Sequence, residues 1–423
     1  MKRILFSVFL LASITILMAQ PQPNYDESKV PVYQLPGVLI NQQGKAVNTV
    51  SEWEQQLRPA TLNLFATEMF GRIPADLHMT DFRIVEEGTD TPYTNARRRQ
   101  IELILEKGNQ RLTVGLLIYT PISESPAPLF LGYNFYGNHT VTDDPKVFIS
   151  NSWANNNEAF GVFDNRLSEQ SRGVRTNRWA IAEILEAGYG IGVMFYGDVD
   201  PDYNDFGNGV HPFSYNDVQQ SPAPDEWGAL AAWAWGLSRA MDFLETDNYV
   251  DATRVAVMGH SRLGKAALWA GAIDERFAMV ISNNSGCGGA ALSRRKYGET
   301  VERINTAFPH WFAGNFKKYN NKEELLPFDQ HQLIALMAPR PIYIASAVND
   351  RWADPKGEYL SGVYATPVYS LYGYEGLPSL EMPAVQVPVM HRIGYHIREG
   401  GHDVTPYDWQ QFIQFARLHF DGR

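Results

Sequence analysis

One serine at the end of an apolar run is better placed than any other side chain in this sequence to act as a nucleophile. The segment Arg254–Lys265 reads RVAVMGHSRLGK, in which a β-like run ends at Gly259 and Ser261 follows two residues later. A strand–turn–helix of this kind exposes a serine hydroxyl above the end of a sheet. Small residues on either side of the serine allow the backbone of the strand and that of the helix to approach closely. The usual spacing is G-x-S-x-G, whereas the second glycine here, Gly264, comes one residue late.

A serine nucleophile needs a histidine as general base, and several histidines follow Ser261. They are His310, His331, His391, His396, His402 and His419. His402 is the preferred candidate because it lies in a Gly-Gly loop directly after the last predicted strand, from which an imidazole can turn back over the serine. We expect the histidines within that strand and on the final helix to be structural.

The acid that orients the histidine is expected in the loop after the predicted strand Pro341–Ala345. This loop reads SAVNDRWAD and contains Asp350 and Asp354. Asp350 is the preferred acid, since its carboxylate would hold the tautomer of His402 and stabilise the imidazolium. Asp354 is the alternative. Because it precedes Pro355, it also suits the N-cap of a helix.

Arg262, directly behind the serine, is the candidate for stabilising the oxyanion that forms during acyl transfer. Its backbone N–H is the expected donor, and its guanidinium, which keeps its charge at working pH, can be another. The Gly132–Asn138 loop is a candidate for the other half of the oxyanion hole. The alternative for Arg262 is an ordinary surface ion pair.

Alternating strands and helices must position these residues. Short apolar runs at Val255–Met258, Ala278–Ser282 and Pro341–Ala345 predict buried parallel strands, and Trp227–Leu244 predicts a strong helix. This alternation implies right-handed crossovers and a mostly parallel sheet sandwiched by helices, which is an α/β protein of the α/β-hydrolase fold. That fold uses the chain order serine, acid, histidine. A long loop-rich insertion over 150–225 is expected to be functional.

Length and composition fit one exported catalytic domain. The chain has 423 residues, of which 44% are hydrophobic and 20% charged, as in a globular protein. Lys2 and Arg3 followed by the apolar run Ile4–Leu17 predict a signal peptide over residues 1–19, with an uncleaved membrane anchor as the alternative. We therefore expect a single α/β-hydrolase domain over 20–423, in the periplasm or outside the cell.

Charge and cysteine content exclude several other classes. A net charge of −11 argues against nucleic acid or an anionic membrane surface as a partner. Cys287 is the only cysteine, so no intrachain disulfide can form despite export. We expect the mature protein to be a monomer that does not associate with a membrane.

Several segments together resemble the glucuronoyl esterases, carbohydrate esterase family 15. The nucleophile segment SRLGKAA over 261–267 is similar to the signature G-C-S-R-x-G-K-G/A of that family. The likeness extends over nearly all of the mature chain, through Gly132–Asn138, Ser285–Ala290, the run around Glu299, Phe308–Phe312, Asp350–Pro355 and Gly401–His402.

The resemblance implies an esterase that cleaves the bond between 4-O-methyl-glucuronic acid on xylan and an alcohol of lignin, with no metal or other cofactor. It implies Ser261 as nucleophile, His402 as base and Arg262 as oxyanion stabiliser. It also implies that three residues contact the uronate sugar, namely Lys265, Glu299 and Trp352. These residue types suit that task, since lysine and glutamate hydrogen-bond hydroxyls and tryptophan can bound a sugar ring.

One position departs from the family pattern. Many members carry the catalytic acid as a glutamate directly before the Ser-Gly of S-G-x-G-G, where this chain has the uncharged Asn284. Asp350 resembles the alternative acid of some bacterial members, so the expected triad is Ser261, Asp350 and His402. His260 replaces the usual cysteine, and we expect it to be buried beside the serine turn rather than to act as a base.

The leading hypothesis is an exported serine esterase that hydrolyses uronate esters of glucuronoxylan or lignin–carbohydrate complexes through an acyl-enzyme. An acetyl-xylan esterase or another carbohydrate esterase is the second hypothesis, and it would offer no uronate for Lys265 and Glu299 to recognise. A carbohydrate-binding protein with a decayed active site is the third, and Asn284 is its main support.

Overall fold

A ten-stranded mixed sheet runs through the described part of the chain. The computed structural model describes residues 22–216 and 218–421, so the predicted signal peptide lies outside the described residues. The strands are β1 (Asp81–Gly88), β2 (Ala96–Lys107), β3 (Gln110–Pro121), β4 (Ala127–Asn134), β5 (Gly190–Phe195), β6 (Val250–His260), β7 (Met279–Asn283), β8 (Ile342–Ala347), β9 (Val389–Met390) and β10 (Ile393–Arg398). The domain boundaries at residues 20 and 423 stay a prediction.

The strand order gathers the parallel strands at the centre of the sheet. The order is β1-β2-β3-β5-β4-β6-β7-β8-β10-β9, and the run from β5 to β10 is parallel throughout. The strands β1, β2 and β3 are antiparallel at one edge, and β9 is antiparallel at the other. Because helices cover both faces of a parallel sheet, its strands need apolar residues on both sides. Accordingly, β4, β5, β7 and β8 are buried along their whole length.

Helices flank the sheet and connect its parallel strands. They are α1 (Val50–Glu52), α2 (Arg58–Phe65), α3 (Ile181–Glu186), α4 (Tyr196–Val199), α5 (Ala229–Leu244), α6 (Arg262–Ile273), α7 (Val301–Ala307), α8 (Gln330–Ala335), α9 (Pro355–Leu371) and α10 (Pro406–Ala416). Over residues 22–216 and 218–421, no helix combines the length and apolar character needed to cross a membrane.

Alternate residues of the central strands pack into two separate cores. In β6, Val255 and Val257 belong to the larger core, together with residues of α5 and α6. Ala256 and Met258 point to the opposite face and join the smaller core, which contains residues of α3 and α10. This two-residue alternation follows from the pleat of the strand, and it fixes the register of β6 and therefore the position of Ser261 above its end.

The predicted fold class is confirmed, because a mostly parallel sheet is flanked by helices as in the α/β-hydrolase fold. The helix predicted to begin at Trp227 begins at Ala229. The last predicted strand is divided into β9 and β10, which pair antiparallel through Val389 and Tyr395. The single cysteine, Cys287, is buried and free.

A close backbone contact forms the turn between β6 and α6. A Cβ atom at Gly259 would lie 2.0 Å from the carbonyl oxygen of Leu263, so only glycine fits there. A Cβ at Gly264 would lie 3.0 Å from both the carbonyl oxygen of Gly259 and the Cβ of Ser285. The tight second contact therefore falls at residue 264, and Leu263 is free to fill the larger core. This explains why the second glycine follows the serine by three residues and not two.

We expect Gly259→Ala to destabilise the fold by at least about 2 kcal/mol, because the new methyl group would overlap backbone that cannot move without displacing α6. Thermal and denaturant unfolding would measure the loss. Gly401→Ala is the matched control, since a Cβ at that site meets nothing within 4 Å. Equal stability of the two variants would contradict the proposed role of the close contact.

Candidate active site

Ser261 occupies a strained turn directly before α6. Its backbone angles are φ 59° and ψ −129°, which a residue with a side chain rarely adopts. Such a conformation costs about 1–3 kcal/mol and is typical of functional turns. The Ser261 N–H donates to the carbonyl of Asn283 at 2.9 Å, which ties the turn to the end of β7. As the N-cap of α6, Ser261 also lies where the helix dipole favours negative charge.

The structure brings His402 and Asp350 into direct contact. His402 Nδ1 lies 2.6 Å from Asp350 Oδ2, although the two residues follow different strands. Since a carboxylate accepts, Nδ1 carries the proton of the neutral imidazole and Nε2 is left as the basic nitrogen. The Asp350 side chain is buried, whereas His402 is 43% exposed. A buried carboxylate holding a partly exposed imidazole is the arrangement that general-base catalysis requires.

Asp354, the alternative acid, has a different partner. Its carboxylate pairs with Arg295, with Nε 2.8 Å from Oδ2, and it accepts the backbone N–H of Gly357 at 3.0 Å as the N-cap of α9. Of the two aspartates that the sequence left open, only Asp350 contacts His402. The catalytic role of Asp350 stays a prediction that this geometry supports.

Asn284 supports Asp350 from the position where the family pattern has a glutamate. Its Nδ2 donates to Asp350 Oδ2 at 2.8 Å, so one carboxylate oxygen accepts from both Asn284 and His402. Asn284 has a positive φ of 47°, which asparagine tolerates better than most residues. The loss of the glutamate therefore leaves a carboxylate next to His402, which weakens the hypothesis of a decayed site.

His260 packs against the ring of His402. The two ring centroids are 4.4 Å apart, and His260 is buried beside the serine turn as predicted. Asn283 donates to Asp408 at 3.2 Å, which orients its amide so that its oxygen faces His260 Nδ1 at 2.6 Å. Burial lowers the pKa of His260 well below its usual range, and the adjacent His402 lowers it further. His260 is therefore a neutral support for His402.

Most of the remaining histidines have structural partners, as expected. His396 is buried and pairs with Asp408 at 2.9 Å, and His391 Nδ1 lies 2.8 Å from the carbonyl of Gly376. His310 differs, because its Nε2 contacts Asp202 at 2.9 Å in the neighbourhood of Arg262.

Arg262 forms an ion pair, as the alternative interpretation allowed, but its partner is buried. The guanidinium contacts the carboxylate of Asp202, which is 2% exposed, while Arg262 itself is 24% exposed. Three aromatic rings surround the guanidinium, with centroids 4.7 to 5.9 Å away, those of Trp311, Phe308 and Phe135. A buried anchor behind a partly exposed cation leaves the cation available to a developing oxyanion.

The Gly132–Asn138 loop borders the same region. Phe135 follows the end of β4, and its ring centroid is 6.2 Å from that of His260. Tyr136 accepts a hydrogen bond from Asn157 at 3.2 Å and packs against Phe160 at 5.3 Å. The long insertion therefore packs onto a loop of the candidate site. No contact of a backbone N–H of this loop identifies it as an oxyanion donor, and that role stays a prediction.

Two of the predicted sugar-contact residues, Lys265 and Glu299, lie close enough to Arg262 for their charges to influence one another. Lys265 lies one helical turn after Ser261, is buried, and donates from Nζ to the carbonyl of Ser285 at 2.5 Å. Burial lowers the pKa of Lys265, whereas the charge of Glu299 opposes that shift. The Glu299 N–H donates to the carbonyl of Trp352 at 3.1 Å, and Trp352 is 40% exposed. Burial raises the pKa of Glu299, although Lys265 and a hydrogen bond with Trp352 oppose it.

A buried carboxyl group lies beneath this site. Glu358 of α9 accepts the N–H of Gly286 at 3.0 Å and the hydroxyl of Ser346 at 2.7 Å. Burial raises the pKa of Glu358 to about 8, and the negative charges of Asp350 and Asp354 add to the increase. Nothing in the sequence marks Glu358, because the helix that carries it has no charge pattern that distinguishes a buried face from an exposed one.

Sequence reasoning also missed Asp202. It belongs to the loop after α4, in an aspartate-rich segment without periodicity, so only the tertiary contacts distinguish it. Its partners Trp311 and His310 lie in the segment Phe308–Phe312, which belongs to the family resemblance but has no role implied for each residue. Across residues 22–216 and 218–421, no group of three or more His, Cys, Asp or Glu side chains is arranged to hold a metal ion.

Comparison with known proteins decides the family. A family model described as "Glucuronyl esterase, fungi" matches residues 219–373. A carbohydrate esterase named MZ0003, from an unknown prokaryotic organism, is 46% identical over 409 residues, which cover 96% of this chain and 94% of that protein. The chain belongs to carbohydrate esterase family 15. It is therefore a carboxylic ester hydrolase.

Solved structures of family 15 enzymes superpose over most of the chain. A structure described as a promiscuous CE15 esterase from a marine bacterial metagenome has a TM-score of 0.87 and 46% identity, covering 94% of this chain and all of that one. A glucuronoyl esterase from Solibacter usitatus has a TM-score of 0.88 and 44% identity, covering 93% of this chain and all of that one.

We expect Asp350→Asn to lower kcat by on the order of 10²–10⁴, because His402 would lose its anionic partner. The matched variant Asp354→Asn breaks a buried pair with Arg295 and should lower the free energy of unfolding by roughly 3–5 kcal/mol. The folded variant should keep kcat within about threefold of the wild type. Steady-state kinetics and unfolding curves on both variants make the test. A large loss of kcat in Asp354→Asn with full activity in Asp350→Asn would reverse the assignment.

Glu358 should make folding stability fall with rising pH. Its pKa is about 8 in the folded protein and ordinarily near 4.5, so between these values the folded state binds a proton that the unfolded state releases. Stability from this group is fully present below about pH 4.5 and is lost as the pH rises toward about 8, by up to about 1.4 kcal/mol per pH unit.

Glu358→Gln mimics the protonated carboxyl and should remove this slope. Denaturant unfolding from about pH 5 to about pH 8 would then show the variant gaining stability relative to the wild type as the pH rises. Glu381→Gln, at an exposed carboxyl, is the control and should give a curve parallel to the wild type. A parallel curve for Glu358→Gln would contradict the raised pKa.

Proposed function

We propose that this protein is a glucuronoyl esterase that hydrolyses esters of 4-O-methyl-glucuronic acid, or of glucuronic acid itself, in glucuronoxylan and lignin–carbohydrate complexes. It acts through an acyl-enzyme and works as an exported monomer in the periplasm or outside the cell. Family membership supports the esterase chemistry, and the relative from Solibacter usitatus is described as a glucuronoyl esterase.

In the first half of the reaction, Ser261 Oγ attacks the ester carbonyl and His402 Nε2 accepts the hydroxyl proton. Asp350 stabilises the imidazolium that results. The carbonyl electrons move to the oxygen, and the backbone N–H and guanidinium of Arg262 stabilise this oxyanion. Collapse of the intermediate breaks the bond to the alcohol, which leaves with the proton from His402.

In the second half, water attacks the acyl group on Ser261 while His402 accepts a proton from that water. Collapse of the second tetrahedral intermediate returns the proton to Ser261 and releases the free uronic acid. Ser261 forms the covalent bond in the first half and loses it in the second. In both halves His402 transfers the proton and Arg262 stabilises the developing charge.

The observation that carries the substrate proposal is the buried Lys265 one turn beyond the nucleophile. Ser261 is the N-cap of α6 and Lys265 is the fourth residue of that helix, so the lysine belongs to the first turn behind the nucleophile. Glu299 is near enough to both Lys265 and Arg262 for its pKa to respond to them. The Lys265 ammonium donates to one buried acceptor, the carbonyl of Ser285, and keeps further donors that a sugar hydroxyl bound between Lys265 and Glu299 can satisfy.

A broader ester range is the second candidate function. One relative at 46% identity is described as a promiscuous esterase, which suggests activity on simple acyl esters as well. An acetyl group would contact the nucleophile and Arg262, but it carries no hydroxyl for Lys265 and Glu299 to bind. The two candidates therefore predict different responses to a change at Lys265.

The test measures kcat/KM on benzyl glucuronate and methyl 4-O-methyl-glucuronate beside 4-nitrophenyl acetate and acetylated xylan. We expect the uronate esters to be preferred and Ser261→Ala to lower every rate by at least about 10³-fold. Lys265→Met should raise KM for the uronate esters by roughly tenfold or more, because a charged hydrogen-bond donor is lost, and leave acetate hydrolysis within about threefold.

Lys356→Met is the control, since the side chain of this lysine is 44% exposed and pairs with Glu27. It should leave both activities unchanged. Faster turnover of acetyl esters than of uronate esters, with equal losses on both in Lys265→Met, would favour the broader esterase and reject the uronate proposal. Hydrolysis by Ser261→Ala at the wild-type rate would reject the acyl-enzyme itself.

A further inference from the structure

A carboxylate behind Arg262 has donors on both of its oxygens. Asp202 Oδ1 accepts from His310 Nε2 at 2.9 Å and from Trp311 Nε1 at 2.7 Å. Its Oδ2 accepts from the hydroxyl of Tyr196 at 3.2 Å and from the guanidinium of Arg262. Four donors fill the acceptor positions that a carboxylate offers, so Asp202 has no freedom to rotate or to exchange its partners.

The donors come from three separate parts of the fold. Tyr196 belongs to α4, Arg262 begins α6, and His310 and Trp311 follow α7. Asp202 is buried, and burial alone would raise its pKa, but the hydrogen bonds from His310 and Trp311 and the charge of Arg262 lower it to about 2. The carboxylate is therefore ionised at any pH at which the enzyme works, and it is fixed independently of Arg262.

The guanidinium of Arg262 is held on several sides, but not all of its hydrogen-bond donors have a partner. Its hydrogen bond to Asp202 is the only one it makes within residues 22–216 and 218–421, and Nε is buried without a partner. The stacked rings of Phe308 and Trp311, 3.7 Å apart, lie next to it and leave little room for another rotamer. One N–H is thus anchored, and the others remain for a ligand.

We propose that Asp202 is a positioning residue for ester hydrolysis, which acts by fixing the Arg262 guanidinium in the orientation that meets the oxyanion. The inference rests on the proposed role of Arg262 in the function above. A fixed anion on one side of the cation means that no side-chain reorganisation is needed when charge develops on the substrate oxygen. Asp202 itself does not touch the substrate.

Asp202→Asn removes the anionic contact to Arg262 while keeping the other contacts of this side chain. The amide oxygen can replace Oδ1 and still accept from His310 and Trp311, and the Tyr196 hydroxyl, which donates to Oδ2, can turn to accept from the amide nitrogen. The amide nitrogen then faces the guanidinium, which puts two donors against each other and removes the negative charge. Arg262 should lose its fixed orientation while the surrounding packing is kept.

The experiment is a double-mutant cycle on benzyl glucuronate with the wild type, Asp202→Asn, Arg262→Gln and the double variant. We expect Arg262→Gln to lower kcat by on the order of 10²–10³ and Asp202→Asn by about 10–10², with KM changed less than about threefold. Because Asp202 acts through Arg262, adding Asp202→Asn to Arg262→Gln should lower kcat by no more than about threefold. A purely structural role would not produce this loss of additivity.

Asp200→Asn is the matched control. Asp200 is equally buried in the same loop and faces His211 at 3.5 Å, without touching Arg262. Burial raises the pKa of Asp200, so asparagine resembles its protonated form closely. We expect kcat of this variant within about threefold of the wild type, with circular dichroism and thermal unfolding confirming that all variants are folded.

Trp311→Phe provides a second route if Asp202→Asn does not fold. It removes one donor to Asp202 and keeps an aromatic ring beside the guanidinium, so kcat should fall by roughly 3–10-fold in the wild type and barely in Arg262→Gln. Independent, multiplicative losses in either cycle would overturn the positioning role while leaving the esterase function intact. Full activity of Arg262→Gln would overturn both the positioning role and the oxyanion role, whereas the uronate preference is read from the wild type alone.

Discussion

The backbone contact between the end of β6 and the start of α6 is the constraint on which the candidate site depends. With no Cβ at Gly259, the chain can reverse within two residues, and Ser261 is held at a positive φ above the sheet. Three candidate site residues then lie within one short segment, namely Ser261, Arg262 and Lys265. A rigid strand fixes the turn from one side and a buried helix from the other, so the strain is supported by both cores.

Burial and partners decide what each carboxylate near this turn can do. Asp350 faces His402 and Asn284, Asp354 is neutralised by Arg295, and Asp202 is held by four donors. The buried Glu358 has two neutral donors and no cation, and its pKa is raised to about 8. Carboxyl groups near the turn therefore differ in their environment: Asp350 pairs with a histidine, Asp354 caps a helix, Asp202 pairs with Arg262, and Glu358 has a raised pKa.

A fixed electrostatic arrangement links the catalytic and sugar-binding candidates. In the proposed mechanism Arg262 places a positive charge where the ester oxygen becomes negative, and Lys265 and Glu299 lie close enough to influence each other and Arg262 electrostatically. Because the cations are held by Asp202 and by the carbonyl of Ser285, their positions do not depend on substrate. Preorganised charge of this kind lowers the cost of forming an oxyanion, and under the proposed function it would link recognition of the uronate to the chemistry at its carboxyl carbon.

Local signals in the sequence, namely the apolar runs, Gly259 and the loop positions, predict the fold class and the serine turn, and the fold class implies the chain order serine, acid and histidine. The sequence also narrowed the acid to Asp350 or Asp354, through loop placement and a family resemblance. Only the tertiary structure separated these two, since the choice depends on which carboxylate faces a histidine 52 residues away. Asp202, Asn284 and Glu358 gained their significance in the same way. Their partners are distant in sequence, and burial, which sets their charge and orientation, exists only once the sheet and helices have packed.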